Sequence, residues 1–530
     1  MKVTLLDYGA GNVRSIRNAI RALGCEIVEV QHPEDILTAD KLIFPGVGSF
    51  GSVMHTLRDR GYIEPLKRRI EEDKPFLGIC VALQALFEGS EETPGVAGLG
   101  ILPGQIKKFV RSALSVPQIG WNGIHLLKES PSFAGYEEEK LYFVHSYHAP
   151  LDTVPEDWAL TATDYGTRFI SAVEKGNVTA FQFHPEKSGQ AGLNLLQNFL
   201  SSQKRPSQTP IVPIEIEKKT EHAKRVIACL DVRSNDNGDL VVTKGDQYDV
   251  RQEGEVRNLG KPVDLARRYY QEGADEVTFL NITGFRDFPM EDQPMIEVLQ
   301  KASENVFVPL TIGGGIRDFT DSNGKYYSAL DVAAQYFRSG ADKISIGSDA
   351  VAIVEEYLAT GKKSGKSSIE QISAVYGVQA VVISVDPRRV YVQSPDETTH
   401  TCVKTGSLGP NGEEYCWYQC TIKGGREGSK LDAVQLVQGC EALGAGEILL
   451  NCIDKDGTND GFELELISLV KKAVSIPVIA SSGAGSARDF VEVFRETDAD
   501  AALAAGIFHR EEVPISEVKT TLMQAGISCR

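Results

Sequence analysis

Short apolar runs rich in β-branched residues alternate with amphipathic stretches along almost the whole chain, the pattern of strands and helices taken in turn. Up to residue 201 the strand-like runs are Val3 to Leu6, Lys41 to Phe44, Phe76 to Ile79 and Thr179 to Phe183. Helical periodicity separates them, most clearly over Asn12 to Leu23 and Val81 to Phe87. This predicts an α/β unit. The pattern then stops. Residues 204–222 hold prolines at 206, 210 and 213 and a charge cluster without amphipathic period, which predicts a linker between a unit spanning 1–203 and another spanning 223–530.

Beyond the linker, eight β-rich runs are spaced by helical segments: Val226 to Leu230, Val277 to Leu280, Val306 to Ile312, Ile344 to Ile346, Ala380 to Val385, Ile448 to Leu450, Ile476 to Ala480 and Ala501 to Ala505. Eight βα units predict a (β/α)8 TIM barrel. An internal repeat supports it. GADEVTFLNITGF from Gly273 parallels GAGEILLNCIDKDG from Gly444, IGGGIR at Gly313 parallels SSGAGS at Gly483, and CLDVR at Asp231 parallels SVDPR at Asp386. A barrel of two similar halves explains all three pairs. Residues 393–430, rich in Gly, Ser, Thr and charge, exceed what a barrel loop needs and predict an insertion over the barrel mouth or outside it.

Composition narrows the function. The chain has 530 residues, too many for one core, so two domains are expected on length as well. Nine cysteines without paired short spacings exclude a disulfide scaffold and a zinc ribbon; Cys416 and Cys420 come closest to a ligand pair but lack a second pair, so no metal site is expected. With 55 Lys+Arg against 73 Asp+Glu, the net charge of −18 disfavours nucleic acid and anionic membranes as partners. An anionic substrate would need local binding devices. Met1 leads directly into a strand pattern, which predicts a cytoplasmic protein, an organelle form with its transit peptide removed being the alternative.

The first chemistry is a cysteine at an elbow. FLGICVALQ puts Cys80 between a strand and a helix, where a nucleophile is exposed and the next backbone N–H can serve an oxyanion. In FQFHPEKSG, His184 and Glu186 are two apart and would share one side of an extended segment. Cys, His and carboxylate are the parts of an acyl-transfer triad. IFPGVGSFG also fits a G-x-G-x-x-G dinucleotide fingerprint through Gly46, Gly48 and Gly51, but Pro45 and the missing acidic partner make it a weak match.

The second chemistry is a pair of aspartates across a barrel mouth. Asp231 ends the first strand and Asp386 the fifth, on opposite sides of the C-terminal face, where two carboxylates can act as general acid and base. Gly313 to Gly315 with Gly347-Ser348 form one glycine-rich rim, and Ser482, Gly483 to Gly485 with Ala505-Gly506 form another. Backbone N–H groups there could close on phosphate oxygens, so the substrate is expected to carry a phosphate at each end. At the opposite face, Arg225, Glu276, Lys343 and Glu447 begin strands one, two, four and six and could close a salt-bridged ring, a solvated rim being the plainer alternative.

Taken together, LLDYGAGN, FPGVG, GICVALQ, PQIGWN, YFVHSYH and FQFHPEKSG resemble a class I glutamine amidotransferase, in particular the glutaminase part of the imidazole glycerol phosphate synthase family. The resemblance implies a triad of Cys80, His184 and Glu186, an oxyanion loop including Gly46, Val47 and Gly48, and a glutamine contact at Gln84. One departure is visible: the family usually has Gly two residues after the cysteine, and here stands Ala82, which puts the hydrolysis rate in question.

KRVIACLDV, VVTKGD, FLNITGF, IGGGIRD, GADKISIGS, SVDPRR, IASSGAG and ADAALAAGIFH resemble the cyclase part of the same family. That likeness implies an acid/base pair of Asp231 and Asp386, a loop contact at Lys244, and polar groups near the substrate at Asn281, Asp456 and Gly457. It also implies phosphate contacts at Gly314, Gly315, Gly347, Ser348, Ser482, Gly483, Ala505 and Gly506. The ring of Arg225, Glu276, Lys343 and Glu447 would then gate ammonia between the sites. Glutamine and a bisphosphorylated ribulosyl-formimino nucleotide are the expected substrates, the two domains partner within one chain, and the chemistry needs no metal or organic cofactor. A phosphosugar isomerase barrel fused to a glutaminase, and a non-enzymatic metabolite sensor, remain as rival readings at this stage.

Overall fold

The computed structural model describes residues 1–9, 11–110, 114–202, 218–234, 240–243, 251–252, 255–256, 259–282 and 294–530. The first unit is built on a mixed sheet whose order runs Glu26–Glu29, Lys2–Leu5, Leu42–Phe44, Phe76–Ile79, Val178–Phe181, Thr167–Lys175 and on to shorter strands. The first five are parallel neighbours, and the helices Val13–Ala22, Phe50–Asp59 and Gly189–Ser201 cover them. Burial on both faces explains their continuous apolar composition; Leu42–Phe44 and Phe76–Ile79 are fully buried. Their register matters for chemistry. Phe44 lies opposite Gly78 and Ile79 opposite Phe181, so the segments that follow three adjacent strands emerge side by side.

The second unit is a closed barrel of eight parallel strands: Arg225–Ser234, Glu276–Asn281, Leu310–Gly313, Lys343–Ile346, Val381–Val385, Glu447–Asn451, Val478–Ser481 and Ala501–Ala504, the last pairing back onto the first. All eight expected strands are present. The third starts at Leu310 rather than Val306, because Pro309 can only precede a ladder it cannot join as a donor.

The segment expected as an insertion is part of a four-stranded antiparallel sheet, Pro387–Val392, Cys402–Lys404, Tyr415–Ile422 and Glu427–Asp432. Cys416, Tyr418 and Cys420 join the barrel core, and the Lys423 N–H donates to Ser348 Oγ at 3.0 Å, so this sheet rises from strand five and reaches the rim of the mouth. Of the expected linker, 204–217 lie outside the described residues. The rest, 218–222, is docked rather than free: Thr220 exchanges hydrogen bonds with Asp164, and the half-buried His222 packs edge-on to Tyr165.

The first unit sits on the N-terminal end of the barrel. Trp121 Nε1 donates to the Asp275 carbonyl, Asn12 Nδ2 to the Asp342 carboxylate at 2.8 Å, and Ser115 Oγ to Asp500 at 2.8 Å. Asp275, Asp342 and Asp500 each precede a barrel strand. One apolar core cluster runs from the layer between the barrel strands and their helices into Ile119, Trp121 and Tyr142 of the first unit. No helix among the described residues is long and apolar enough to cross a membrane.

Candidate active sites

Cys80 takes the turn between Phe76–Ile79 and the short helix Val81–Ala85 at φ 52°, ψ −106°, a conformation that costs a non-glycine residue of order 1–3 kcal/mol. The turn is anchored by the Cys80 N–H on the Phe181 carbonyl, 2.6 Å. It faces the Pro45 to Gly48 loop that follows the neighbouring strand. A Cβ at Gly46 would stand 1.9 Å from the Ile79 carbonyl and 2.7 Å from the Val81 nitrogen, so only glycine allows this approach to the elbow. Ala82 is fully buried in the core of this unit, and its methyl would lie a tight 3.3 Å from a Cβ at Gly78, so the bare Gly78 eases its packing.

The segment after Val178–Phe181 carries the base. His184 Nδ1 lies 2.8 Å from Glu186 Oε1, both side chains about 5% exposed. The pair does not sit on extended chain as the spacing predicted. Pro185–Lys187 is a turn of 3₁₀ helix, which Pro185 initiates and which folds Glu186 back under the ring. Burial alone would push the His184 pKa down. The Glu186 carboxylate and the hydrogen-bonded Cys80 sulfur overcome it and hold the ring well above its usual value.

Gln84 is buried, and its amide donates to the Tyr147 carbonyl and to Gln182 Oε1, each at 3.1 Å. Gln182, which motif reading passed over, donates to Cys80 Sγ at 3.4 Å. Two further polar groups were not singled out in the sequence. Ser146 keeps a buried hydroxyl without a partner among the described residues, and Glu92, whose carboxyl burial pushes up, accepts from the Phe50 N–H at 2.7 Å. Cys80, His184, Val47 and Tyr142 line a cavity of about 40 Å³ to which the barrel contributes one wall, including Asp342 and Lys343.

Under that wall the four charged strand starts do form a ring, not a solvated rim. Arg225 Nη1 lies 3.1 Å from Glu276 and its Nη2 bonds Glu447; Lys343 Nζ lies 2.7 Å from Glu276 and 2.6 Å from Glu447. None is more than 1% exposed. Thr311 Oγ1 adds a bond to Glu276 at 2.6 Å.

At the other end of the barrel, Asp231 and Asp386 line one cavity of about 550 Å³, together with Asp456, Gly457, Ser482, Gly483, Ala505 and Gly506. Burial raises the Asp386 carboxyl, countered by Asn451 Nδ2, which donates to Oδ1 at 2.8 Å. Ser482 holds φ 74°, and Gly483 presses so close to the Gly461 carbonyl that a Cβ would stand 2.2 Å away. His509 and Arg510, not foreseen, also line the cavity; Glu512 grips the Arg510 guanidinium at 2.7 and 2.8 Å.

Not every expected residue joins this cavity. Gly314, Gly315, Gly347 and Ser348 sit at the ends of strands three and four but outside its lining, the Ser348 hydroxyl being engaged by the four-stranded sheet. Asn281 is hydrogen-bonded to Tyr336 instead of lining the cavity. Lys244 lies outside the described residues.

Comparison with known proteins matches residues 4–202 to the class-I glutamine amidotransferases and 225–514 to the histidine biosynthesis proteins. The chain is 59% identical over 532 residues to "Imidazole glycerol phosphate synthase hisHF, chloroplastic" of Arabidopsis thaliana, covering all of this chain and 89% of that one. It is 56% identical to "Imidazole glycerol phosphate synthase hisHF" of Schizosaccharomyces pombe, with 98% of each chain covered. To "Imidazole glycerol phosphate synthase subunit HisF" of Methanosphaera stadtmanae it is 40% identical, over 58% of this chain and 99% of that subunit.

Proposed function

The chain belongs to the bifunctional imidazole glycerol phosphate synthase family of histidine biosynthesis, a glutaminase fused to a cyclase, and we propose how its residues divide that work. Full-length similarity to fused synthases sets aside the isomerase fusion and the sensor.

The Cys80 thiolate attacks the glutamine amide carbon and the carbonyl oxygen takes the negative charge, received by the Val81 N–H at the helix start and by the Val47 N–H. His184, held by Glu186, protonates the departing nitrogen, which leaves as ammonia; water then releases glutamate from the thioester. The ammonia passes the ring of Arg225, Glu276, Lys343 and Glu447 into the barrel. At the far mouth it meets the phosphoribulosyl-formimino aminoimidazole carboxamide ribonucleotide, with Asp231 and Asp386 exchanging protons and the Ser482–Gly483 and Ala505–Gly506 rim holding a phosphate. Imidazole glycerol phosphate and aminoimidazole carboxamide ribonucleotide leave.

One observation carries this reading: Lys343, a member of the ring, also lines the cavity that contains Cys80 and His184. Cys80→Ala tests the division of labour. It should abolish product formation from glutamine and leave formation from an ammonium salt near normal, because only the nucleophile is lost. Loss of both activities in a folded variant would refute the assignment. We place the enzyme in the cytoplasm; fractionation showing it confined to an organelle would replace that placement.

A further inference from the structure

The Val47 N–H is not idle in this structure. It donates to the Tyr8 hydroxyl at 3.0 Å, and the same hydroxyl donates to the Val47 carbonyl at 2.5 Å. One oxygen thus holds both polar groups of the residue's backbone. Tyr8 is itself fixed: its ring is 2% exposed and stands edge-on to Phe44, 5.7 Å between centroids, the last residue of the strand that leads into the Val47 loop. The Val47 side chain closes over the loop that follows Tyr8, where a Cβ at Gly11 would meet Val47 Cβ at 2.3 Å.

An amide nitrogen has one hydrogen, and while Tyr8 accepts it no oxyanion can. We propose that Tyr8 is a positioning residue, a hydroxyl latch that withholds the Val47 amide from the Cys80 site at rest and so sets the ratio of basal to stimulated glutaminase activity. The inference rests on the reading of Val47 as an oxyanion donor.

The latch is also tied to the barrel from both sides. Arg338, at the end of the Ala329–Arg338 helix, donates to the Gly9 carbonyl beside Tyr8 at 3.1 Å. Ser49, two residues past Val47, donates through its N–H to the Val375 carbonyl at 3.2 Å and through Oγ to the Ala374 carbonyl at 2.9 Å, both on the Ser368–Tyr376 helix. These helices flank the strand that begins with Lys343. A shift of either against the first unit pulls on one arm of the latch, which gives barrel occupancy a mechanical route to the oxyanion loop.

Tyr8→Phe in the full chain tests this, since it removes one oxygen and keeps the ring that packs on Phe44. Glutamate release is measured with glutamine alone and with imidazole glycerol phosphate added as barrel ligand. The basal rate should rise on the order of tenfold, the scale of one or two lost hydrogen bonds, while the stimulated rate stays within about twofold, so the stimulation ratio shrinks. Amide hydrogen exchange over 45–49 should be faster in the resting variant than in the wild type. An unchanged ratio beside normal wild-type stimulation would overturn the latch alone, and so would an equal fall in both rates, the mark of plain structural support. A wild type that barrel ligand fails to stimulate would overturn the latch together with the reading of Val47 beneath it.

Discussion

Removing Lys343 is the sharpest test of the ring between the two sites. The ring is neutral as built, two cations against two anions, and every member is sealed from water. Lys343→Ala leaves one cation for two carboxylates, and each carboxylate loses its contact of 2.6 or 2.7 Å. Removing one partner of a buried ion pair costs about 3–5 kcal/mol, because the remaining charge is desolvated without compensation. Against a domain stability of about 5–15 kcal/mol this is a large share, and it corresponds to a fall in melting temperature on the order of 10 °C. Lys343→Met separates charge from volume: if the charge dominates, methionine recovers little, and the double variant Lys343→Met/Glu447→Gln, which restores neutrality, recovers more than either single change. The acid limb gives a second reading. Burial pushes the Glu447 carboxyl up, but Arg225 and Lys343 overcome it and hold it below its ordinary value. A depressed folded-state pKa adds stability above the unfolded carboxylate range and loses it as pH falls through the folded value. Without Lys343 one cause of the depression is gone, so acid unfolding should begin at higher pH. In function, glutamate should exceed imidazole glycerol phosphate when both are measured in one mixture supplied with glutamine. A one-to-one product ratio together with a melting temperature within about 2 °C of the parent would refute the ring as a gate and as a buried charge network.

Two further outcomes concern the barrel mouth. Asp231→Asn and Asp386→Asn should each destroy cyclisation with glutamine or ammonium salt alike, while glutaminase activity and the melting transition survive; a variant that keeps most of its turnover removes that aspartate from the chemistry. Asn451→Ala deletes the hydrogen bond that offsets burial at Asp386, so the Asp386 pKa should rise further and the corresponding limb of the ammonia-dependent pH–rate profile should move upward. A limb that stays in place detaches Asp386 from that profile.

The barrel was legible because parallel strands buried on both faces leave continuous apolar runs, and its ring was legible because strand starts fall in one register around the axis. Other features had no such signature. The sheet at 387–432 read as an insertion because its strands are short and half exposed, as Cys402–Lys404 shows, so only Tyr415–Ile422 carries a strong apolar set. Glu186 was found by spacing but assigned the wrong backbone, since alternation describes extended chain and Pro185 imposes a turn. Contacts between distant segments left no local trace at all. Tyr8 with Val47, and Asn12 with Asp342, join residues whose pairing depends on how loops and domains meet, not on any period.

That meeting decides more than the position of the domains. Asp342 takes Asn12 Nδ2 at 2.8 Å and pairs with Lys187 Nζ at 2.6 Å, and Lys187 follows Glu186 of the triad in sequence. The next residue after Asp342 is Lys343, whose ammonium closes the ring. One docking contact therefore sets both the wall of the glutaminase cavity and the root of the gate's cation. The ring's contacts of 2.6 to 3.1 Å are closed ion pairs, so on the proposed route a member would have to move for ammonia to pass. Arg225 and Lys343 both begin strands that are paired on both sides, so backbone anchoring does not separate them. Lys343 differs in being a single flexible ammonium that lines the Cys80 cavity, and on the proposed route a swing of its side chain would open a path without disturbing a strand. On the proposed route the Asp342 contact would link hydrolysis to passage: loosening it would misplace Lys187 and Lys343 in the same motion.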